Sequence, residues 1–446
     1  MAWQAKSGVS RRTVLKAAAG LAAVGPLGSL ATKVQAQGSF NWRKYAGTTL
    51  RILVNRVTPC ELVGQRIPEF EAKTGIKVKA EFYPEELFRQ KTVVEMTSGA
   101  SDLDLFMTLI GNEGVKFYKS GWYEPIKRFV EDRTLADPAW DPGDITQGAW
   151  ESQKVSDTLV SVPIEVGIHC MMSNKKLVEQ AGIAPPKTLA ELEAAAKKVT
   201  RKDAGIYGVA LRGRRATSAG IYSNFLHNMG GEWLDKQGNP TINTPEAIAA
   251  FELYGRLIRE YGSPGAVNHH FTEVNSLFMA GKVGFTIEGS VFATLYEDPE
   301  KSKVAGQVGY HMTPAGPGGN HPVVNGWGVA MYSRSTKKEA AWYFMQWASS
   351  KETLLELAVA GQGSPRASIW NHPRFRSATK APKDWQETLL QSIKVGNPLF
   401  APPVIPIAQV RDIIGDVIHV AIAGGNVKEA ANKANDLMKK ALAEAS

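Results

Sequence analysis

Leu50-Arg51-Ile52-Leu53-Val54 opens a run of alternating patterns that continues to Lys119. These five residues follow Gly47 and are rich in β-branched and aliphatic side chains, as a strand requires. Pro68 to Lys73 has helical composition and stops at Gly75, which suits the left-handed turn that caps a helix. Ile76-Lys77-Val78-Lys79-Ala80-Glu81-Phe82 alternates at period two, the pattern of a half-buried strand. Helical spacing returns from Glu85 to Thr97, a strand follows at Leu103-Asp104-Leu105-Phe106-Met107, and Glu113 to Lys119 is a helix stopped by Gly121. Strand and helix alternate three times, which predicts an α/β protein with a parallel sheet covered by helices.

Beyond this unit, a turn-rich interruption spans Asp137-Pro138 to Pro142-Gly143. A long extended run then covers Leu159 to Met172, with Pro163 in its middle. Proline has no N–H to give a sheet, so a run of this length broken there is suited to passing from one lobe to another. Thr188-Leu189-Ala190-Glu191 is a capping box and starts a helix with Leu189, Leu192, Ala196 and Val199 on one face. Ala341, Phe344, Met345 and Ala348 repeat at helical spacing and predict an amphipathic helix. Helical patterns dominate from Lys383 onward, apart from a proline-rich loop at Pro398 to Pro406.

The chain has 446 residues, room for two or three domains, and its 43% hydrophobic and 21% charged content is that of a globular protein. Five of the positive charges, Lys6, Arg11, Arg12, Lys16 and Lys33, lie in residues 1–36, which hold no acid. The remainder carries 47 basic and 43 acidic residues, too even a balance for a nucleic-acid-binding face. Ser10-Arg11-Arg12-Thr13-Val14-Leu15-Lys16, a weakly apolar stretch from Ala17 to Ala31, and Val34-Gln35-Ala36 follow the order of a twin-arginine signal peptide. Residues 1–36 are expected to be removed after Ala36, leaving the mature protein in the periplasm. No later stretch reaches about 18 uninterrupted apolar residues, so no membrane span is expected. Two cysteines, Cys60 and Cys170, exclude a disulfide framework and are expected to be separate buried thiols.

Enzyme signatures are missing. There is no G-x-x-x-x-G-K loop and no H-E-x-x-H. Ala216-Thr217-Ser218-Ala219-Gly220 has alanine in place of the first glycine of a nucleophile elbow and does not follow a clear strand. His269 and His270 would diverge on a helix, so the His269-His270-Phe271-Thr272-Glu273 group reads as a helix start. No catalytic residue, metal or cofactor is expected.

Eight blocks in order from about residue 48 to 370 resemble the bacterial extracellular solute-binding proteins of the carbohydrate ABC-transporter class, the maltose-binding-protein-like family. They are Phe70 to Val78, Asp102 to Phe106, Ser120 to Ile126, Val162 to Val166 with Ser173 to Leu177, Pro185 to Thr188, Gly230 to Leu234, Gly281 to Ser290, and Gly326 to Val329 with the Ala340 to Ser349 helix. The run Glu85 to Lys91 is similar to the polyol- and sugar-alcohol-binding branch. The resemblance implies a two-lobed periplasmic binding protein fold, with discontinuous lobes joined by crossing hinge strands near Glu165, Glu288 and Trp327. On that pattern residues 37–165 and 288–327 form the N-terminal lobe, and 166–287 and 328–446 the C-terminal lobe. It also implies a monomer that holds a carbohydrate or polyol between its lobes and delivers it to ABC transporter permease subunits.

Such a ligand shows hydroxyls at its edge and C–H groups on its face, which call for polar side chains and an aromatic plane respectively. Candidates are the residues at strand ends and crossings, where α/β sheets bind their ligands. After the first strand these are Asn55, Arg56, Thr58 and Glu61; after the third, Asn112 and Glu113. At the crossings they are Glu165, Glu288, Ser290, Asn325 and Trp327, and elsewhere Arg212 and Arg366. Trp122, Tyr123 and Trp233 read as packing residues. The arginines also suit an acidic sugar bearing a carboxylate or sulfonate, an alternative ligand class. A secreted glycoside hydrolase using paired carboxylates is the competing enzyme class.

Overall fold

The computed structural model describes residues 40–99, 102–379 and 381–445; the expected signal peptide lies outside them. The strands are β1 (Thr49–Asn55), β2 (Lys77–Tyr83), β3 (Leu105–Leu109), β4 (Lys154–Val155), β5 (Thr158–Leu159), β6 (Ser161–Pro163), β7 (Gly167–Asn174), β8 (Tyr207–Ala210), β9 (Val283–Gly289), β10 (Val308–His311), β11 (Val324–Asn325) and β12 (Trp327–Met331). One sheet has the order β2-β1-β3-β12-β6 and a second β10-β7-β9-β8, with β11 also on β7. In the first sheet β1 pairs in parallel with β2 and β3, as the alternating patterns predict. The helices Ile67–Thr74, Glu85–Ser98 and Ile110–Lys119 connect or follow these strands. Gly75 closes its helix at φ 74°, a left-handed conformation in which a side chain would be strained.

The extended run around Pro163 divides in two. β6 ends at Pro163 on the edge of the first sheet, where a missing N–H costs no ladder bond, and β7 begins at Gly167 in the second. Residues 164–166 are therefore one crossing. Gly326, between β11 and β12, is another; a Cβ there would lie 2.3 Å from the Glu165 carbonyl oxygen, so the two crossing strands touch backbone to backbone only because Gly326 has no side chain.

The pairing corrects the expected lobe boundaries at both later breaks. Glu288 is no crossing: it sits within β9, opposite Cys170 on β7, so the chain stays with the second sheet until residue 326. β12 then enters the first sheet between β3 and β6, with Trp327 opposite Leu109 and Gly328 opposite Pro163. Residues 328–375 stay with the first lobe, because every residue of β12 is buried, Gly328 to Ala330 lie between strand partners on both sides, and the following helices close over the same core. The chain returns after Phe375: Ala381, Trp385 and Leu389 pack with Ile168 and Cys170 of β7.

The helix Lys338–Ala348 is not amphipathic. All nine residues from Ala340 to Ala348 are buried, since aromatic side chains cover the face that would meet water. Trp342 packs edge-on against Trp140 at 5.2 Å, and Phe344 against Phe70 at 5.2 Å. Gln346 is tolerated there because its amide donates to the Leu135 carbonyl and accepts from the Asp137 N–H, each at 2.8 Å. The second lobe is built on Tyr222, Phe225, Tyr254 and Ile414, from three packed helices, against Phe285 of β9. Cys60 belongs to the core of the first lobe and Cys170 to a separate cluster with Ile168, Met172, Tyr296 and Trp385, both as buried free thiols. Thr188 and Glu191 form the expected capping box, and His270 caps the helix Phe271–Met279. Ala216 to Gly220 lies inside the helix Arg215–Asn228 with Ser218 buried, a place unlike a nucleophile elbow. Trp122, Tyr123 and Trp233 are buried packing residues.

Candidate functional site

The carboxyl ends of β1 and β3, the start of β12 and the end of β6 meet at one edge of the first sheet. The ends of β8 and β9 meet the start of β7 at one edge of the second. Between these edges lies a cleft of about 260 Å³ lined from both lobes. From the first come Arg56, Thr58, Glu61, Glu85, Glu165 and Trp327; from the second, His169, Arg212, Phe271, Ser290, Asn325 and Phe400. Hydroxyl-binding groups and aromatic faces thus converge on one space bounded by both lobes, which suits a small polar molecule.

The charged groups are already partnered. Arg212 makes a bidentate contact with the fully buried Glu288, with Nε 2.6 Å from Oε1, and its guanidinium lies over the Phe271 ring at 5.6 Å. Arg56 pairs with Glu61 at 3.3 Å. Arg89 pairs with Glu113 and, at 2.9 Å, with Glu85, and lies over the Trp327 ring at 5.9 Å. Crowding by protein works against the Glu85 carboxylate, but Arg89, Arg212 and Arg411 together hold it below the usual range.

Glu165 differs from the other acids. It is 1% exposed, its Oε2 accepts from the Trp327 backbone N–H at 3.3 Å, and its Oε1 has no hydrogen-bond partner among the described residues. Burial pushes its carboxyl up to about 8, so it carries a proton at neutral pH. Burial, with Arg212 nearby, pushes the His169 imidazole down to about 3, so it is neutral.

Eight of the expected residues line the cleft: Arg56, Thr58, Glu61, Glu165, Arg212, Ser290, Asn325 and Trp327. Five do not. Glu288 stands behind Arg212 and orients it, because at the end of β9 its carboxylate turns to the guanidinium. Asn55 is fully buried at the end of β1, and its amide has no partner among the described residues. Glu113 folds back onto its own helix start, accepting from the Leu109 N–H at 2.7 Å. Asn112 accepts from Arg411 at 2.9 Å, a bond between the lobes outside the cleft. Arg366 is a structural residue of the first lobe. Fully buried, it donates to the carbonyls of Trp140, Ser349 and Asp141 at 2.6, 2.8 and 2.9 Å and pairs with Asp144.

Glu85, His169, Phe271 and Phe400 line the cleft without having been expected there. Glu85 and His169 had a local cue: one opens a helix after a strand, and the other follows the crossing by three residues. Phe271 and Phe400 had none, since each reaches the cleft through the packing of its lobe.

The pattern describing the family "Bacterial extracellular solute-binding protein" matches residues 61–354. The chain is 26% identical over 288 residues to the mannitol-binding protein of Pseudomonas aeruginosa, a match covering 63% of this chain and 64% of that protein, just under two thirds of its length. It is 26% identical over 344 residues to the erythritol/L-threitol-binding protein of Mycolicibacterium smegmatis, covering 73% and 71%. Among solved structures, an ABC transporter solute-binding protein of Agrobacterium radiobacter K84 in complex with ribitol is 26% identical, with a TM-score of 0.80 over 89% of this chain and 99% of that one. One from Agrobacterium vitis S4 with bound D-mannitol is also 26% identical, with a TM-score of 0.78 over 90% and 99%.

Proposed function

The chain belongs to the bacterial extracellular solute-binding protein family, and from that premise we propose that it binds a neutral polyol or small sugar in its cleft and delivers it to the permease of an ABC importer. The observation that carries the choice of ligand is the pairing of the cleft arginines. Arg56 has Glu61, and Arg212 has Glu288. An acidic sugar would have to displace one of these carboxylates, whereas hydroxyls can donate to and accept from groups that stay paired. Relatives named for mannitol and for erythritol or L-threitol, and neighbours holding D-mannitol and ribitol, support a polyol. The test is a thermal-shift and calorimetric screen of the mature protein against polyols, neutral sugars and sugar acids. Stabilisation by sugar acids alone would reject the neutral ligand. Incubation with chromogenic glycosides tests for hydrolysis, which this function does not include.

Export belongs to the same proposal: removal of residues 1–36 places the binding protein in the periplasm, where an importer collects its solute. So does hinge closure. The lobes comprise residues 40–165 with 327–375 and residues 166–326 with 381–445, joined at Glu165 to Val166, at Gly326 and after Phe375. Ligand contacts to both lobes favour the closed arrangement. Small-angle scattering is expected to show a smaller radius of gyration at saturating ligand; an unchanged radius would reject the hinge.

Trp327 supplies the aromatic plane. It is 8% exposed, lines the cleft and stands where β12 leaves the crossing. Trp327→Ala is expected to weaken ligand binding by roughly one to two decades, because the face that covers ligand C–H groups is lost and about 1.4 kcal/mol is tenfold. Calorimetry showing wild-type affinity would make Trp327 hinge scaffold only.

A further inference from the structure

His169 lines the cleft but pairs with none of its charged groups. It lies on β7 opposite Gly289 of β9, and its Nδ1 is 2.8 Å from Nδ2 of Asn224, a residue 1% exposed. The Asn224 amide has one tenable orientation. Its Oδ1 accepts from the Val323 backbone N–H at 2.9 Å, and its Nδ2 donates to the Ile221 carbonyl at 3.0 Å. Turning the amide over would set an NH₂ against an N–H and an oxygen against a carbonyl oxygen, both in a buried place where unmade hydrogen bonds are costly. Nδ2 therefore gives its second hydrogen to His169, and Nδ1 must hold a lone pair. A ring that accepts at Nδ1 cannot be imidazolium, and its single proton is on Nε2. No described residue accepts from that nitrogen.

We propose that His169 is a ligand-contacting, specificity-determining residue, locked by Asn224 as the Nε2–H tautomer so that it offers the cleft a donor and never an acceptor. The ligand must then present an oxygen lone pair at this point. A hydroxyl does so; an ammonium group, which has only donors, is refused. The edge-on contact of the imidazole with Phe400, 5.5 Å between ring centres, holds the ring plane and so the direction of the N–H. The depressed imidazole pKa agrees with a ring that stays neutral over the whole working range.

The proposal rests on the polyol assignment only for the identity of the ligand. Nitrogen-resolved NMR of the histidine rings in the full mature protein, with His169→Gln used to assign the resonance, reads the tautomer directly. An Nε2–H pattern that does not titrate between about pH 5 and 8 is expected; an Nδ1–H pattern, or protonation in that range, overturns the proposal. D-mannitol, ribitol and erythritol serve as probes. With a probe that binds, His169→Phe keeps the ring shape without the N–H and is expected to weaken binding about tenfold, the loss of one hydrogen bond. His169→Gln places an NH₂ near the position of Nε2 and is expected to stay within about threefold of wild type. A merely structural role would leave the Nε2 resonance unmoved by ligand, and wild-type affinity in the folded His169→Phe variant overturns the proposal. If none of the three probes binds, a neutral sugar that stabilises the protein in the screen takes their place; if no neutral ligand binds, the ligand assignment falls and the ligand-contacting role with it, while an Nδ1–H tautomer in the unliganded protein overturns the inference by itself.

Discussion

Glu165→Gln is expected to raise the stability of the ligand-free protein, by an amount that grows as pH rises from about 5 to 8. The native carboxyl is pushed up to about 8 because it is buried, with one oxygen unpartnered among the described residues, against 4.5 for the free group. Between those values the native state holds a proton that the unfolded chain releases, so raising pH favours unfolding. The folded-state pKa is raised, so the contribution of the neutral acid is complete below about 4.5 and lost as pH approaches 8. Glutamine keeps the shape and cannot ionise. The gain at pH 8 is on the order of 3 kcal/mol, allowing for relaxation around a buried charge. Above that range both proteins should run parallel. Urea unfolding of wild type and variant across the range checks it; superimposable pH profiles would sink the assignment of a neutral Glu165. The variant leaves Glu61, Glu85 and Glu288 in place, so the change belongs to one group.

The second large effect is expected at Glu288. Its side chain is fully buried and Arg212 is 12% exposed, so Glu288→Ala leaves a guanidinium charge in a poorly solvated place. Breaking such a pair costs about 3–5 kcal/mol, much more than removing both partners. Glu288→Ala is therefore expected to lower the unfolding free energy by that amount and to abolish measurable ligand binding, because Arg212 loses the partner that aims it into the cleft. The paired replacement Arg212→Met with Glu288→Leu is expected to recover most of the stability and none of the binding. If Glu288→Ala folds with wild-type stability and affinity, Arg212 does not depend on Glu288 for its position. Glu288→Gln keeps one acceptor for the guanidinium and is expected to fall between these limits.

Much of the cleft was legible because its residues sit at strand ends, and strand ends can be read from apolar runs. Arg56 and Thr58 follow β1, Glu165 follows β6, Arg212 follows β8, and Trp327 opens β12; all five line the cleft. Glu288 failed by the same logic. It ends an apolar run, but the strand continues through Gly289, and the polar group that meets its carboxylate is Arg212, from the segment that follows β8. Arg366 failed because a conformationally restricted Gly-Ser-Pro-Arg loop looks the same whether its guanidinium meets solvent, ligand or buried carbonyls. Here the carbonyls of Trp140 and Asp141 had been brought to it from more than 200 residues away in the chain.

Period and punctuation in the chain were enough for the α/β class, the three parallel strands of the first lobe, the crossing beside Pro163 and the absence of enzyme signatures. These depend on contacts within one element or between neighbours, and short-range patterning records such contacts faithfully. Folding in three dimensions settled which sheet each later segment joined, and so the lobe boundaries. An apolar run such as Trp327 to Met331 is equally satisfied by either buried sheet, and the choice lies with the strands that present free edges to it. It also settled the protonation and direction of the polar groups in the cleft. Glu165 is neutral because of what buries it, Arg212 is aimed because Glu288 stands behind it, and His169 donates because Asn224 is held by Val323 and Ile221. Each of these is a property of neighbours distant in sequence, which no local pattern encodes.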